Sequence, residues 1–154
     1  VPMTRITRLT ESDWEQFAEL RLRALTDTFG AADQQYLVEA RFTAADWRRR
    51  LRDHAQFVVV LAGRPVGMVA AYQESTETAY VYSLWVDPVA RGRGFGRRLV
   101  VAALDWARRR GVRTATLRMA PDNTAARTVY EGLGFTEVPT GGAAGEVVMR
   151  LTIR

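Results

Sequence analysis

Ser83-Leu-Trp-Val-Asp-Pro-Val-Ala-Arg-Gly-Arg-Gly-Phe-Gly-Arg-Arg-Leu99 is the stretch on which the reading of the fold turns. It starts as an apolar run, breaks at Asp87-Pro88 and passes through a basic, glycine-rich turn. It ends in a helical pattern of apolar residues at Leu99, Val100, Ala103, Leu104 and Ala107. A strand, a glycine turn and a helix in this order suit an anion, because the first N–H groups of a helix lack intrahelical acceptors and carry a partial positive charge. Gly94 and Gly96 have no Cβ to hold an anion off the backbone. Arg91, Arg93, Arg97 and Arg98 add formal charge and forked donors that match phosphate oxygens. The bland alternative is a surface turn with solvated arginines.

Two familiar phosphate loops do not fit. A Walker loop needs Gly-Lys-Ser/Thr, and the chain has no lysine. In Gly92-Arg-Gly94-Phe-Gly96 the third glycine comes one position too early for G-x-G-x-x-G, and no acidic residue follows at the end of a plausible second strand.

Composition bounds the remaining options. The length of 154 residues suggests a single domain, with 47% hydrophobic and 25% charged residues, as in an ordinary globular protein. Neither a membrane span nor a signal peptide is expected, which points to a cytoplasmic location. With no cysteine, disulfides, thiolate metal sites and a cysteine nucleophile are excluded, and the single histidine, His54, cannot build a multi-histidine metal site. The net charge of +5 comes entirely from arginine. Arg48-Arg-Arg-Leu-Arg52 and Arg108-Arg-Arg110 invite a nucleic-acid reading, but both lie in helical patterns with an apolar opposite face. They read as solvated faces, without the interleaved aromatics of a stacking platform. No nucleic acid, membrane or metal is therefore expected as a partner.

Along the chain, Arg5–Leu9 alternates as a strand. Thr10-Glu-Ser-Asp13 starts a helix, with apolar positions from Trp14 to Leu25, that runs to about Thr26. Residues 27–39 show no period and read as an irregular loop, a common place for function. Thr43 caps a second helix with Trp47 and Leu51 on its apolar side, and His54 reads as a helix-terminal or turn residue rather than a base. Strands at 56–62 and 66–72 form a hairpin through Gly63-Arg-Pro65. A third strand, 79–86, feeds the glycine loop. The helix after the loop stops at Gly111 with arginines in its last turn. The strand at 114–119 should then run parallel to 79–86. A short helix from Asn123, a strand after Phe135, a flexible loop at 140–145 and an alternating last strand at 146–153 complete the chain. The order β-α-α-β-β-β-α-β-α-β-β describes an α/β fold: a mixed sheet with helices on both faces.

A second motif, Asn123-x-x-Ala126-x-x-x-Tyr130-x-x-x-Gly134-Phe135, follows the glycine loop. Asn123 stands at a helix start and Tyr130 lies seven residues on, close to the same face. Taken alone, these residues fit helix capping and core packing as well as ligand contact.

Arg91-Gly92-Arg93-Gly94-Phe95-Gly96, led in by Val-Asp-Pro, resembles motif A of the GCN5-related N-acetyltransferases, Gln/Arg-x-x-Gly-x-Gly/Ala. The Asn123–Phe135 spacing resembles their motif B, and the element order matches theirs over essentially the whole chain. The resemblance implies transfer of an acetyl group from acetyl-coenzyme A to a primary amine of a small molecule or peptide, by direct attack in a ternary complex. It implies that Arg91, Gly92, Arg93, Gly94, Phe95, Gly96 and Arg97 hold the pyrophosphate. The backbone of Leu84, Trp85 and Val86 would bind the pantetheine arm, beside a splay expected between Val86 and Met119. Asn123 would contact the cofactor, and Tyr130 would bind it and protonate the leaving thiolate.

Some members carry a glutamate on the strand eleven residues before the motif; here that position is Tyr80. Water relayed to Glu74, Glu77 or Glu39, or an acceptor of already low pKa, are the alternatives for removing the amine proton. Phe29, Tyr36, Glu39, Tyr80 and Tyr82 are the candidate acceptor-binding residues, the two strand tyrosines fitting core packing equally well. Many members pair as homodimers through late strands, which this sequence leaves open. An alternative of another class is a non-catalytic acyl-coenzyme A sensor or partner module of the same fold.

Overall fold

A computed structural model describes residues 3–139 and 145–154. The flexible loop expected at 140–145 therefore lies, apart from Gly145, outside the described residues. Seven strands form one sheet: β1 (Thr4–Arg8), β2 (Ala55–Leu61), β3 (Arg64–Gln73), β4 (Thr78–Val86), β5 (Thr114–Met119), β6 (Thr136–Glu137) and β7 (Val147–Thr152). Their spatial order is β1-β2-β3-β4-β5-β7-β6. Only β4 and β5 run parallel, as the strand–helix–strand crossover between them requires.

The helices are α1 (Trp14–Phe29), α2 (Gln34–Glu39), α3 (Ala44–Asp53), α4 (Phe95–Arg109) and α5 (Thr124–Gly132). One of them, α2, corrects the expectation of an irregular loop over 27–39. Its N-cap, Asp33, accepts hydrogen bonds from the backbone N–H groups of Gln35 and Tyr36. This helix buries Glu39 rather than an apolar stripe, so no hydrophobic period announces it. The first helix also continues past Thr26, to Phe29, with Gly30 as its C-cap. The β2–β3 turn is Ala62-Gly63, both at positive φ, rather than Gly63-Arg-Pro65. Pro65 instead enters β3, where the pairing shifts between Val59 and Val60, a place in a sheet that tolerates the missing N–H.

Alternation along the strands creates two cores. On one face, Val58, Val60, Met68 and Trp85 pack against Phe17 and Leu20 of α1 and Trp47 and Leu51 of α3. On the other, Phe57, Val59, Val69, Val81 and Leu117 pack against Leu99, Val100 and Ala103 of α4, with Tyr130 of α5. A Cβ on Gly67 would lie 2.9 Å from Val59, 3.0 Å from the Trp85 carbonyl and 3.2 Å from Leu99, so this glycine lets α4 settle close to the sheet. Among the described residues, no helix is long and apolar enough to cross a membrane.

A candidate anion and transfer site on an opened sheet

The site begins where β4 leaves β5. Parallel pairing stops after Thr78–Thr114, Ala79–Ala115 and Tyr80–Thr116. From Val81 to Val86, the β5-facing edge of β4 has no strand beside it, so the opening starts well before Val86. On the other side, β4 bulges: Met68 pairs with Trp85 and Ala70 with Tyr82, leaving one extra residue on β4. Ser83 sits at φ 58°, a left-handed conformation unusual for a non-glycine residue. The bulge resets the alternation. Tyr80 and Tyr82 face the α1–α3 side before it, and Trp85 faces that side after it. Leu84 and Val86 turn to the α4 side, where they approach Gly96.

After β4, the chain is pinned by Asp87. Its N–H donates to the Val66 carbonyl, its carboxylate accepts from the Val89 N–H, and Arg23 pairs with it at 3.1 Å. Arg91 is turned inward: Nε donates to the Val86 carbonyl and Nη2 to Asp27. Its guanidinium thus clamps the loop to α1 and β4. Arg97 reaches the Gly132 carbonyl at the end of α5. Arg93 and Arg98 are exposed, and their side chains make no ion pair or hydrogen bond with a described residue. Gly94 caps α4 at φ 79° without a side-chain cap. None of the backbone N–H groups from Gly92 to Arg97 has an acceptor among the described residues. Six consecutive free donors at a helix start, flanked by two uncommitted guanidiniums, form an anion nest.

Across the opening stand the residues of the second motif. Asn123 caps α5, its side-chain oxygen accepting from the Ala126 N–H at 3.1 Å, which leaves its NH₂ group for another partner. Tyr130 is buried, edge-on to Phe135. Burial, with a small contribution from Tyr80, pushes its hydroxyl up to about 12. Its hydroxyl makes no hydrogen bond to a described residue.

Two cavities meet at this opening. The smaller, about 240 Å³, runs between β4 and α5 past Arg118, Asn123, Ala126 and Tyr130. The larger, about 940 Å³, lies on the α1–α3 side and reaches Phe29, Arg49, His54 and Gln56. Tyr80, Tyr82, Ser83, Leu84 and Glu146 line both. Three of the five residues expected on the acceptor side, Phe29, Tyr80 and Tyr82, line the larger cavity; Tyr36 and Glu39 do not. Glu39 is 1% exposed and accepts from Arg21, Arg50 and Gln35, so its carboxylate is committed to the protein. Glu74 and Glu77 sit in the β3–β4 turn and line neither cavity. Of the backbone-contact trio, Trp85 has its indole in the core, donating to Asp27 at 2.9 Å, so only its main chain is available.

His54 and Gln56 are the residues that the sequence did not assign to the site. His54 ends α3 in an extended conformation and turns its ring onto the sheet, stacked on Tyr72 with centroids 4.6 Å apart. Its Nδ1 hydrogen-bonds the Tyr82 hydroxyl. Gln56 is buried, and its Oε1 has no partner. Only the tertiary packing of α3 against β4 places His54 beside a tyrosine that is distant in sequence.

The fold that carries this opening is shared with solved N-acetyltransferases. The N-acetyltransferase PaiA of Thermoplasma acidophilum, solved in complex with coenzyme A, superimposes with a TM-score of 0.78 at 15% identity, over 97% of this chain and 99% of that one. The profile of the Acetyltransferase (GNAT) family matches residues 9–135, and the chain belongs to this family. An uncharacterized N-acetyltransferase of Methanocaldococcus jannaschii is 31% identical over 140 residues, covering 86% of this chain and 60% of that relative. The mycothiol acetyltransferase of Rhodococcus erythropolis is 45% identical over 62 residues, covering 40% of this chain and 21% of its own length. The chain thus spans 60% of the length of the first of these relatives and 21% of the second.

Proposed function

We propose that this chain transfers an acetyl group from acetyl-coenzyme A to a primary amine by direct attack in a ternary complex. The observation that carries this reading is the meeting of the two cavities at Tyr80–Leu84, with Gly96 of the anion nest packed against Leu84, which lines both. Acetyl-coenzyme A fits the residues present. The Gly92–Arg97 N–H groups, with Arg93 and Arg98, offer donors for a pyrophosphate. The free edge of Leu84, Trp85 and Val86 offers backbone groups for an extended amide-bearing arm and for polarising a thioester carbonyl. Asn123 and Tyr130 line the same cleft. The bound thioester supplies the activated acetyl carbon. Tyr130, kept protonated by burial, holds a proton for the departing sulfur. Arg91 serves through its side chain as the clamp that holds the nest against β4.

The reading is tested by release of coenzyme A thiol across a panel of polyamines, aminoglycosides, amino acids and peptide N-termini. Turnover with at least one amine class is expected. Tight binding of acetyl-coenzyme A with no thiol release would point to a sensor module instead. Tyr130→Phe should lower kcat on the order of 10²-fold with little change in acetyl-coenzyme A affinity. An unaltered rate would remove Tyr130 as the acid.

A further inference from the structure

We propose that Tyr82 and His54 form the relay that takes the proton from the acceptor amine, an inference that rests on the acetyl-transfer reading above. The strand position where a glutamate base would stand is Tyr80, and Glu39 is closed off by two arginines and an amide. The larger cavity instead offers a histidine joined to a phenol. Both residues line it, and the same cavity extends along β4 to Ser83 and Leu84, where it meets the donor side.

The pair is held rigidly. The His54 backbone N–H donates to the Arg50 carbonyl, which ends α3 and turns the ring over the sheet. The imidazole stacks on Tyr72 and stands edge-on to Tyr82, at 90° between planes. Tyr80 in turn stacks on Tyr82, with 5.5 Å between centroids. Beside them, the unpartnered Oε1 of Gln56 is an acceptor buried at the cavity wall, suited to an N–H donor such as an amine.

Protonation states allow this transfer, and release of the proton to solvent draws it onward. Burial lowers the affinity of His54 for a proton; Asp53 opposes this and Arg50 reinforces it, so the ring is neutral near neutral pH. Burial pushes the Tyr82 hydroxyl up to about 12, so it is a phenol that can pass a proton on but is no base by itself. The groups facing His54 are Arg50 and Asp53 from α3, Tyr72 from β3 and Tyr82 from β4.

The proton balance closes. An ammonium gives one proton to the Tyr82 oxygen as the Tyr82 O–H proton passes to His54 Nδ1, and the imidazolium then releases it to solvent. The freed amine lone pair forms the N–C bond to the acetyl carbon as the C–S bond breaks. Sulfur leaves with the electron pair of the C–S bond and takes the Tyr130 proton. The second nitrogen proton returns to the Tyr130 oxygen.

Since His54 is the only histidine, its ring C2–H resonance reports its titration without assignment ambiguity and without an acceptor. The experiment pairs that titration with the pH profile of kcat/KM for the best amine, in the wild type, His54→Gln, Tyr82→Phe and Glu146→Gln. Calorimetric binding of acetyl-coenzyme A is the control. The expected result is a wild-type acid limb that coincides with the His54 midpoint, which falls below 6.5. Tyr82→Phe should displace the midpoint, and both His54→Gln and Tyr82→Phe should cut kcat/KM on the order of 10²-fold, with binding retained. An acid limb unchanged in His54→Gln, or one that moves only in Glu146→Gln, would overturn the relay while leaving acetyl transfer intact. A wild type that binds acetyl-coenzyme A and releases no thiol with any amine would overturn the transfer reading, and the relay with it.

Discussion

Glu39 shows how a residue that resembles a candidate base becomes part of the frame. A buried carboxylate is costly unless it is paired and hydrogen-bonded. Here Arg21 donates to both oxygens, at 3.0 and 3.3 Å, Arg50 donates at 2.7 Å and Gln35 at 2.8 Å. Arg21 also reaches Ser83, so the same ion-pair cluster braces the β4 bulge. Burial by itself would raise the Glu39 pKa, but the bonds and charge of Arg21, then Arg50 and Gln35, outweigh it and hold the carboxyl below its ordinary 4.5. A lowered folded pKa contributes stability that is present above 4.5 and lost as the pH falls through the folded value. Denaturant melts at a series of pH values should therefore show stability declining below that point, with a shallower decline in Glu39→Gln. Glu39→Ala should cost about 3 kcal/mol, because it strands two guanidiniums. A variant as stable as the wild type, with the same acid slope, would show that the cluster contributes nothing. Residue type alone could not have revealed this role, because an acid in an aperiodic stretch carries no mark of the two arginines that close over it.

At the level of elements, β4, the loop and α4 act as one unit, and their parts respond differently to substitution. Gly94 has open space around a hypothetical Cβ but sits at φ 79°, so any side chain there is strained and intrudes on the free N–H groups. Gly94→Asp adds a negative charge where an anion is to bind and should abolish detectable acetyl-coenzyme A binding by calorimetry. Gly96 lies in α4 with ordinary contacts of 3.9–4.0 Å to Leu84, Val86 and Val129, and Gly96→Ala should leave affinity within a few fold. Equal effects of the two would contradict the nest geometry. This unit was the most legible part of the sequence: the apolar run, the Asp-Pro break, the glycines and the i, i+3, i+4 pattern from Leu99 all report local backbone requirements. Asn123 and Tyr130 were legible for the same reason, since their spacing spans two turns of one helix. The hidden features depend on distant partners. α2 is held by a cap and a buried ion pair rather than a stripe, the bulge at Ser83 is defined only by the register with β3, and the His54–Tyr82 contact joins residues 28 positions apart. The loop arginines illustrate the same limit, because sequence counts four cations but cannot tell that Arg91 and Arg97 are turned to backbone carbonyls.

Across the whole molecule, the sheet divides at the opening. β1 to β4 form one antiparallel block and β5, β7 and β6 another, joined through three parallel pairs and the core that α4 spreads beneath them. The anion nest belongs to the first block, whereas Asn123 and Tyr130 ride on α5 beside the second. A ligand seated in the cleft therefore bridges both blocks and replaces the strand contacts missing past Tyr80. Because it binds the folded chain only, acetyl-coenzyme A at 100 times its Kd should add about 2.7 kcal/mol of stability. For a chain of this size, that corresponds to a rise in Tm of roughly 5–10 °C. The gain should be local as well as global, with amide exchange slowing first at the Val81–Val86 edge and at the start of α5, where backbone groups wait for partners. Gly94→Asp should show neither effect under the same conditions. A Tm that does not move at millimolar acetyl-coenzyme A, or protection confined to surfaces away from the cleft, would mean that the opening between the blocks is not the donor site.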